Sequence, residues 1–255
     1  MSGQKDREKR REERIAAESK AASGDRRTRL LQFAAGGVFL AIIAVVVIII
    51  VAGSGSSGGD AGNVEETTEV DKLLSGIPQK ATVLGKSTAP VTLYEYGDLQ
   101  CPICKEYSED VLPQIIEKQV KNGEVKIVYR DFIIISEESI PAGEAALAAG
   151  EQGKGWTFIE LFYRNQGEER SGYVTDEFIE SIAEGAGVPD MKQFNEERKS
   201  GKFKKKVEET TKQAGTFGFE GTPSFAIEGP HSEGIELLGT PGSAGSIEES
   251  IEKAA

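Results

Sequence analysis

The sequence predicts an α/β domain with an inserted helical segment, preceded by a single N-terminal transmembrane helix. Three observations lead to this fold class. Residues 30–52 are almost wholly apolar and carry no charge. An apolar strand–helix–strand pattern runs from residue 91 to residue 132, and about eighty residues of helical periodicity follow before strand patterns resume. With 255 residues, the chain is long enough for one full domain with appendages.

The chain begins with a charged tail, residues 1–29, which we expect to lie in the cytoplasm. The tail has ten Lys/Arg and six Asp/Glu, a net charge of +4, whereas the remaining residues have 20 and 36, a net charge of −16. An acidic body of this kind argues against binding to nucleic acid. Lys and Arg beside a membrane span stay on the cytoplasmic side, so the domain that follows should face outward, where disulfides persist.

Residues 30–52 predict a transmembrane anchor, because about 20 apolar residues in a helix cross the hydrocarbon core of a bilayer. The alternative is a cleaved secretory signal, whose apolar stretch is shorter, about 7–15 residues. The run of Gly and Ser that follows begins a predicted flexible linker over residues 53–77. The linker would hold the main domain away from the bilayer.

The folded domain is predicted over residues 78–255. Residues 81–85 have the pattern of a short edge strand, and residues 91–96 and 125–132 have the patterns of longer strands. A helix is expected between the two longer strands. Strand, helix and strand in this order imply a right-handed crossover and a parallel pair.

The first helix of the domain is predicted from residue 102 to about residue 122, with a kink just before Pro113. Helical periodicity then dominates residues 137–214, which we interpret as a helical insertion. The insertion is predicted to contain helices at 142–150, 156–165, 176–184, 191–200 and 202–214, followed by strands at 224–227 and 235–238 and a closing helix that includes Ile247 and Ile251.

The two cysteines of the chain, Cys101 and Cys104, stand where the strand pattern gives way to the helical pattern. Three positions apart on a first helical turn, they lie on one face with Cα atoms about 5–6 Å apart, which suits a disulfide. Because the loop closed is so short, the bond would add little stability, and we expect its value to be chemical. Unpaired N–H groups at the helix N-terminus favour a thiolate at Cys101, the predicted nucleophile and leaving thiolate; Cys104 is the predicted resolving cysteine.

These residues resemble the DsbA-like family of thiol:disulfide oxidoreductases, which have a thioredoxin-like fold, in its membrane-anchored form. The resemblance rests on residues 95–107 with their Cys-Pro-Ile-Cys motif, on residues 142–156, on the Gly-Thr-Pro-Ser-Phe loop at residues 221–225, and on the order β, α, β, helical insertion, β, β, α. These features together cover residues 78–255. The motif alone is weak evidence, but its place after a strand, with that loop about 120 residues later, is specific.

The resemblance implies further site residues. The Thr222–Pro223 bond is expected to be cis and to lie beside the dithiol, with the Thr222 backbone pairing with substrate; the alternative is an ordinary trans turn. Similar enzymes often bury an acidic residue beneath the dithiol, so Glu95 would pass a proton to or from Cys104, unless it is an exposed strand carboxylate. Where strong oxidants of this family often have His, this chain has Ile103, which predicts a less oxidising disulfide.

The function that the resemblance implies is an extracytoplasmic enzyme that introduces disulfides into exported proteins. Its partners would be unfolded exported thiols and a membrane oxidase that regenerates the disulfide. The nearest competing function is a membrane-anchored reductase or isomerase that uses the same dithiol. A non-catalytic binding module is also compatible with the sequence, and burial of Cys101 with an ordinary thiol pKa would support it. A metallochaperone for a soft metal is a further candidate, although the dithiol lacks the additional His or Met that would normally complete such a site.

No metal and no organic cofactor is expected. Zinc usually takes four protein ligands, and Cys101, Cys104 and His231 leave too few. His231 is the only histidine of the chain and stands in a Gly- and Pro-containing stretch, where we expect a solvated loop residue.

Overall fold

The structure of the protein is a computed structural model that describes residues 64–240 and 243–255. The predicted charged tail and the predicted anchor therefore lie outside the described residues. Within those residues, none of the helices combines the length and the apolar character that crossing a bilayer requires.

The first described element is a helix, α1 (Thr67–Leu74). It falls inside the predicted flexible linker, so the prediction of a linker through residue 77 is wrong for this part. Val70 and Leu74 are buried, and residues four apart share one face of a helix. This apolar face packs against the helical insertion, and the acidic residues between the apolar positions obscured it in the sequence.

A six-stranded sheet forms the centre of the domain, and its strands lie in the order β1-β2-β4-β3-β5-β6. Strands β3 and β4 pair in parallel, as predicted, and the other neighbours pair antiparallel. The predicted edge strand is instead a short hairpin of β1 and β2, with β1 at the edge. The strands are β1 (Gln79–Lys80), β2 (Val83–Leu84), β3 (Val91–Gly97), β4 (Val125–Asp131), β5 (Ser224–Glu228) and β6 (Glu236–Gly239).

Helix α2 connects β3 to β4 and covers residues 102–120. It begins with Pro102 at its first helical position, where a missing N–H group costs nothing. A π-helical turn, Tyr107–Val111, stands just before Pro113, where the sequence predicted a kink, and a second one, Ile116–Val120, ends the helix. Because proline cannot donate to the preceding turn, a widened turn is readily accommodated at this point.

The helical insertion lies between β4 and β5, where it was predicted. The indole N–H of Trp156 donates to the carbonyl of Thr82 over 2.8 Å, which ties the insertion to the β1–β2 hairpin. Thr175 and Asp190 cap two of the helices through their side chains. The helices are α3 (Ser139–Glu151), α4 (Gly155–Arg164), α5 (Asp176–Gly185), α6 (Met191–Lys199) and α7 (Lys204–Thr216), and α8 (Ala244–Ala254) closes the domain.

Candidate active site

The site forms where the central strand β3 ends and α2 begins. The turn between them is held by Asp98, whose side chain is fully buried. Its carboxylate accepts hydrogen bonds from the backbone N–H groups of Gln100, Ile134 and Ile135, each over 2.9 Å. These three bonds satisfy the hydrogen-bonding needs of a buried carboxyl group. Asp98 therefore fixes the loop that carries the first cysteine to the loop that follows β4.

Cys101 is the N-cap residue of α2, with an extended backbone (φ −76°, ψ 120°), and Cys104 lies in the first turn. The two cysteines are free thiols in this structure. Cys101 is 4% exposed and Cys104 is completely buried. The predicted assignment is consistent with this geometry, because only Cys101 of the two reaches the surface at all.

The pKa values of the two thiols are shifted in opposite directions. A hydrogen bond from the Cys104 thiol is the largest influence that lowers the pKa of Cys101, from 9.0 to about 6; burial opposes it, and Thr222 and the backbone N–H groups of Ile103 and Cys104 assist it. Burial raises the pKa of Cys104 well above its usual range, and the neighbouring Cys101 sulfur raises it further. At neutral pH the dithiol therefore holds one thiolate, on Cys101, and one proton, on Cys104.

The loop before β5 lies against the dithiol. The Thr222–Pro223 peptide bond is cis, as predicted. The Cys101 Sγ atom lies 3.4 Å from the Thr222 carbonyl oxygen, which places this loop directly beside the reactive sulfur. The Thr222 hydroxyl is buried and has no hydrogen-bond partner within 64–240 and 243–255, so it is available to stabilise the thiolate.

Glu95 lies on β3 and is 1% exposed. The prediction of a buried carboxyl, rather than an exposed one, is therefore confirmed. Burial raises its pKa well above the usual range, and the charge of Glu160 adds to this effect. One of its oxygens, Oε2, has no hydrogen-bond partner among the residues described. A carboxyl group with a raised pKa can give up its proton when neutral and take a proton back when ionised.

Sequence reasoning missed three residues that shape the site. Asp98 holds the active-site turn, and Glu160 supplies a second buried carboxylate. Gln166, which follows α4, donates through its side-chain amide to the carbonyls of Leu99 (2.8 Å) and Cys101 (3.2 Å). Asp98 could have been proposed from its place in the turn just before the motif, where a carboxylate can accept from the backbone N–H group two residues later. Nothing in the sequence near the motif indicates Glu160 or Gln166, which lie on α4 and in the loop after it.

The residues predicted to lie outside the site do so. His231 is exposed in a loop, where its backbone N–H donates to the Ala254 carbonyl over 3.1 Å. No group of three or more His, Cys, Asp or Glu side chains with the geometry of a metal site is found in the part of the chain that the structure describes.

A helix-capping thiolate, a buried partner thiol three residues later and a neighbouring proline loop constitute a centre for thiol–disulfide exchange. The fold and the site together define a thiol:disulfide oxidoreductase.

Comparisons with known proteins lead to the family. The family described as Thioredoxin matches residues 78–236. A probable disulfide bond formation protein D of Bacillus cereus is 31% identical over 149 residues, which cover 57% of this chain and 69% of that protein. Disulfide bond formation protein D of Bacillus subtilis is 27% identical over 169 residues, 64% of this chain and 75% of that protein.

Solved structures show the same fold. Oxidised BdbD from Bacillus subtilis superposes with a TM-score of 0.61 at 24% identity, covering 71% of this chain and 96% of its own. An alpha-DsbA of Wolbachia pipientis gives a TM-score of 0.56 at 19% identity, with 71% and 91% covered. The chain belongs to the thioredoxin family, and within it this protein is a DsbA-like thiol:disulfide oxidoreductase.

Proposed function

We propose that this enzyme works as an oxidase that introduces disulfides into exported proteins on the outer side of the cell membrane. The observation that carries the direction is the low pKa of Cys101, about 6. A thiolate that is stable at neutral pH is a good leaving group, and stabilising it favours the reduced form of the enzyme. A disulfide whose reduced form is stabilised passes readily to substrate thiols.

The oxidation of a substrate takes two exchange steps. A substrate thiolate attacks the sulfur of Cys101, the bond between Cys101 and Cys104 breaks, and Cys104 leaves and takes up a proton, which we assign to Glu95. A second substrate thiolate then attacks the substrate sulfur of the mixed disulfide, and the Cys101 thiolate leaves. The substrate loses two electrons and the enzyme gains two.

The reduced enzyme then needs a co-reactant that accepts those two electrons. We propose a membrane oxidase for this role, and we propose that residues 30–52 anchor the enzyme beside it as a single-pass protein with a cytoplasmic N-terminus. Two relatives are named disulfide bond formation protein D, which supports the oxidising direction. The apolar segment and its Lys/Arg flank support the anchor.

Two competing functions make different demands on the site. A binding module with an inert dithiol needs a Cys101 pKa near 8.5, and the pKa of about 6 argues against it even though Cys101 is largely buried. A reductase would use the same cysteines in the opposite direction, and the redox equilibrium is the measurement that separates it from an oxidase.

The test is to mix the oxidised full-length protein with an equal amount of a reduced, unfolded protein that has two cysteines, and to follow substrate thiols over time. We expect rapid loss of substrate thiols and one equivalent of reduced enzyme. Cys101→Ser is the control for uncatalysed oxidation. Persistence of the substrate thiols beside an oxidised enzyme would contradict the proposed direction.

A further inference from the structure

A buried ion pair lies beneath the dithiol, between Glu160 and Arg164 on α4. The two side chains are 0% and 7% exposed, and Arg164 Nη1 donates to the Glu160 carboxylate over 2.6 Å. The Ser108 hydroxyl lies 3.1 Å from both carboxylate oxygens. On its other side, Arg164 Nε is 3.1 Å from a carboxylate oxygen of Glu66. With a cation and a hydroxyl group to solvate it, Glu160 can keep its negative charge inside the core.

Glu95 is buried to a similar degree but has neither of these supports. Its Oε2 has no hydrogen-bond partner and no salt bridge to it is found among the described residues. A second charge here would lie in the same apolar interior as the Glu160 carboxylate. Two buried carboxyl groups in unequal environments separate into one that stays ionised and one that keeps its proton.

The ion pair lies close to the sulfur that needs a proton. Cys104 and Ser108 are four residues apart on α2 and both are buried, so they lie on one face of the helix. Since Ser108 contacts Glu160, the ion pair lies about one helical turn below Cys104. Tyr107, between them in the chain, has a buried hydroxyl group without a hydrogen-bond partner among the described residues and senses the charges of Glu95, Glu160 and Cys104.

We propose that Glu160, held in its ionised form by Arg164, is a positioning residue that keeps the transferable proton on Glu95 until Cys104 leaves as a thiolate. This inference rests on the proposed proton transfer from Glu95. When the Cys101–Cys104 bond breaks, the new negative charge on Cys104 takes the proton, and the carboxylate charge moves to Glu95. Because the negative charge of Glu160 repels a second charge, Glu95 holds its proton more firmly before the step. The same charge determines how readily Glu95 takes the proton back from Cys104.

The charged and titratable groups around Glu160 support this assignment. Burial is the main reason that its pKa is raised, to about 6, and Arg164 and Ser108 oppose the rise; Glu109 adds a small repulsion from α2. Glu95 faces it from β3 and Tyr107 from α2. With a pKa of about 6, Glu160 is mostly ionised at neutral pH, whereas burial and the charge of Glu160 raise the pKa of Glu95 well above its usual range.

The test compares the titration of Glu95 in the oxidised full-length protein with the same titration in Glu160→Gln, by NMR of carboxyl carbons labelled with ¹³C. The Glu95 signal is assigned from Glu95→Gln. We expect the Glu95 titration to move to lower pH when the Glu160 charge is removed. Single-turnover oxidation of a dithiol peptide should slow by roughly threefold to tenfold at pH 8, and less at pH 6, because less Glu95 remains protonated.

A second variant and a matched control keep the result interpretable. Glu160→Gln combined with Arg164→Gln removes both charges and guards against a folding defect from an arginine that has lost its buried partner. The Glu95 titration should again move to lower pH. Glu180→Gln removes a carboxylate from another buried arginine, Arg198, and should change neither the titration nor the pH profile.

The outcomes separate this inference from the proposed function. An unchanged Glu95 titration in both Glu160 variants, with an active wild type, would overturn the role of Glu160 and leave the oxidase intact. A wild-type protein that oxidises no dithiol peptide would instead overturn the proposed function itself.

Discussion

The two halves of the dithiol site differ in what surrounds each sulfur. The mouth of the site, formed by Cys101, Ile103 and Thr222, offers hydrogen bonds to a thiolate and contains the one sulfur of the pair with any exposure. The floor, formed by Cys104, Glu95 and Glu160, is closed to solvent, and burial raises the pKa of both the Cys104 thiol and the Glu95 carboxyl group well above their usual ranges. Three residues of separation along the chain are enough for this contrast.

One short motif gives its two cysteines different roles. The unpaired backbone N–H groups of the first helical turn can donate hydrogen bonds to the capping residue, Cys101. Cys104, one turn further in, faces the core, where burial disfavours a charge. Thiol–disulfide exchange with substrate therefore takes place at the mouth, and proton transfer to the leaving thiolate takes place at the floor. Substitutions in the mouth and in the floor should therefore have different effects.

Loss of either sulfur should have the largest effect, but with different products. Cys101→Ser should abolish exchange, since no other thiol of the site reaches the surface. Cys104→Ser should accumulate a mixed disulfide with substrate at Cys101, because no internal thiol can displace it. Mass spectrometry of the protein after incubation with an activated substrate disulfide distinguishes the two. Substrate attached through Cys104 in Cys101→Ser would contradict the assignment of the mouth.

Glu95→Gln should slow the step that delivers a proton to Cys104, by about tenfold to a hundredfold. The thiolate at Cys101 should be nearly unaffected. Stopped-flow oxidation of a dithiol peptide, with the ultraviolet absorbance of the Cys101 thiolate measured beside it, gives both quantities. If Glu95→Gln lowered the oxidation rate and the amount of Cys101 thiolate equally, Glu95 would act on the mouth of the site as well as on the floor, which would contradict separate roles.

Asp131→Asn tests whether buried carboxyl groups near the site act only through stability. Burial, with the nearby charge of Asp98, raises the pKa of Asp131 from 3.8 to about 7. The pKa of Asp131 is higher in the folded state than in the unfolded state. Below about pH 4 the carboxyl group is protonated in both states and does not affect stability. As the pH rises towards 7, the free energy of unfolding falls, because only the unfolded state can release the proton. We expect the variant to be more stable than wild type at pH 8, by up to about 4 kcal/mol.

The measurement is urea unfolding of the oxidised protein at pH 4 and at pH 8. The wild-type free energy of unfolding should fall relative to that of Asp131→Asn between these values, while the exchange rate at pH 7 stays the same. A pH-independent difference between the two proteins would show that the pKa of Asp131 is the same in the folded and unfolded states.

Thr222→Val should have the smallest effect, because the Thr222 hydroxyl is one of several groups that stabilise the thiolate. We expect the Cys101 pKa to rise and the exchange rate at pH 7 to fall by about twofold to fivefold. Thr222→Ser keeps the hydroxyl and is the matched control. A Cys101 pKa that is the same in the Val and Ser variants would assign the stabilisation to the Cys104 thiol and the backbone N–H groups, without the Thr222 hydroxyl.

The sequence was informative where chemistry and local pattern coincide. Cys101, Cys104 and Pro223 stand in short motifs, and the strand and helix segments of the domain have clear apolar periods, so the fold and the mouth of the site were predictable. Glu95 could be proposed only by resemblance, since strand position alone does not fix burial. Helix α1 was missed because its apolar face has only two strong positions, Val70 and Leu74, among charged residues.

The floor could not be predicted in full, because its partners come from distant parts of the chain. Glu160 lies on a helix whose other residues are mostly apolar, and nothing local distinguishes a buried carboxylate there from a solvated one. Only the fold brings it to Ser108 on α2, 52 residues away.

The redox equilibrium of the full-length protein in glutathione buffers tests the proposed oxidising direction most directly. A thiolate stabilised at Cys101 lowers the free energy of the reduced form, so we predict a potential clearly above about −200 mV, together with Cys101 titrating well below pH 7. A potential near about −270 mV would contradict the oxidase and identify an enzyme that runs the same exchange in the reducing direction.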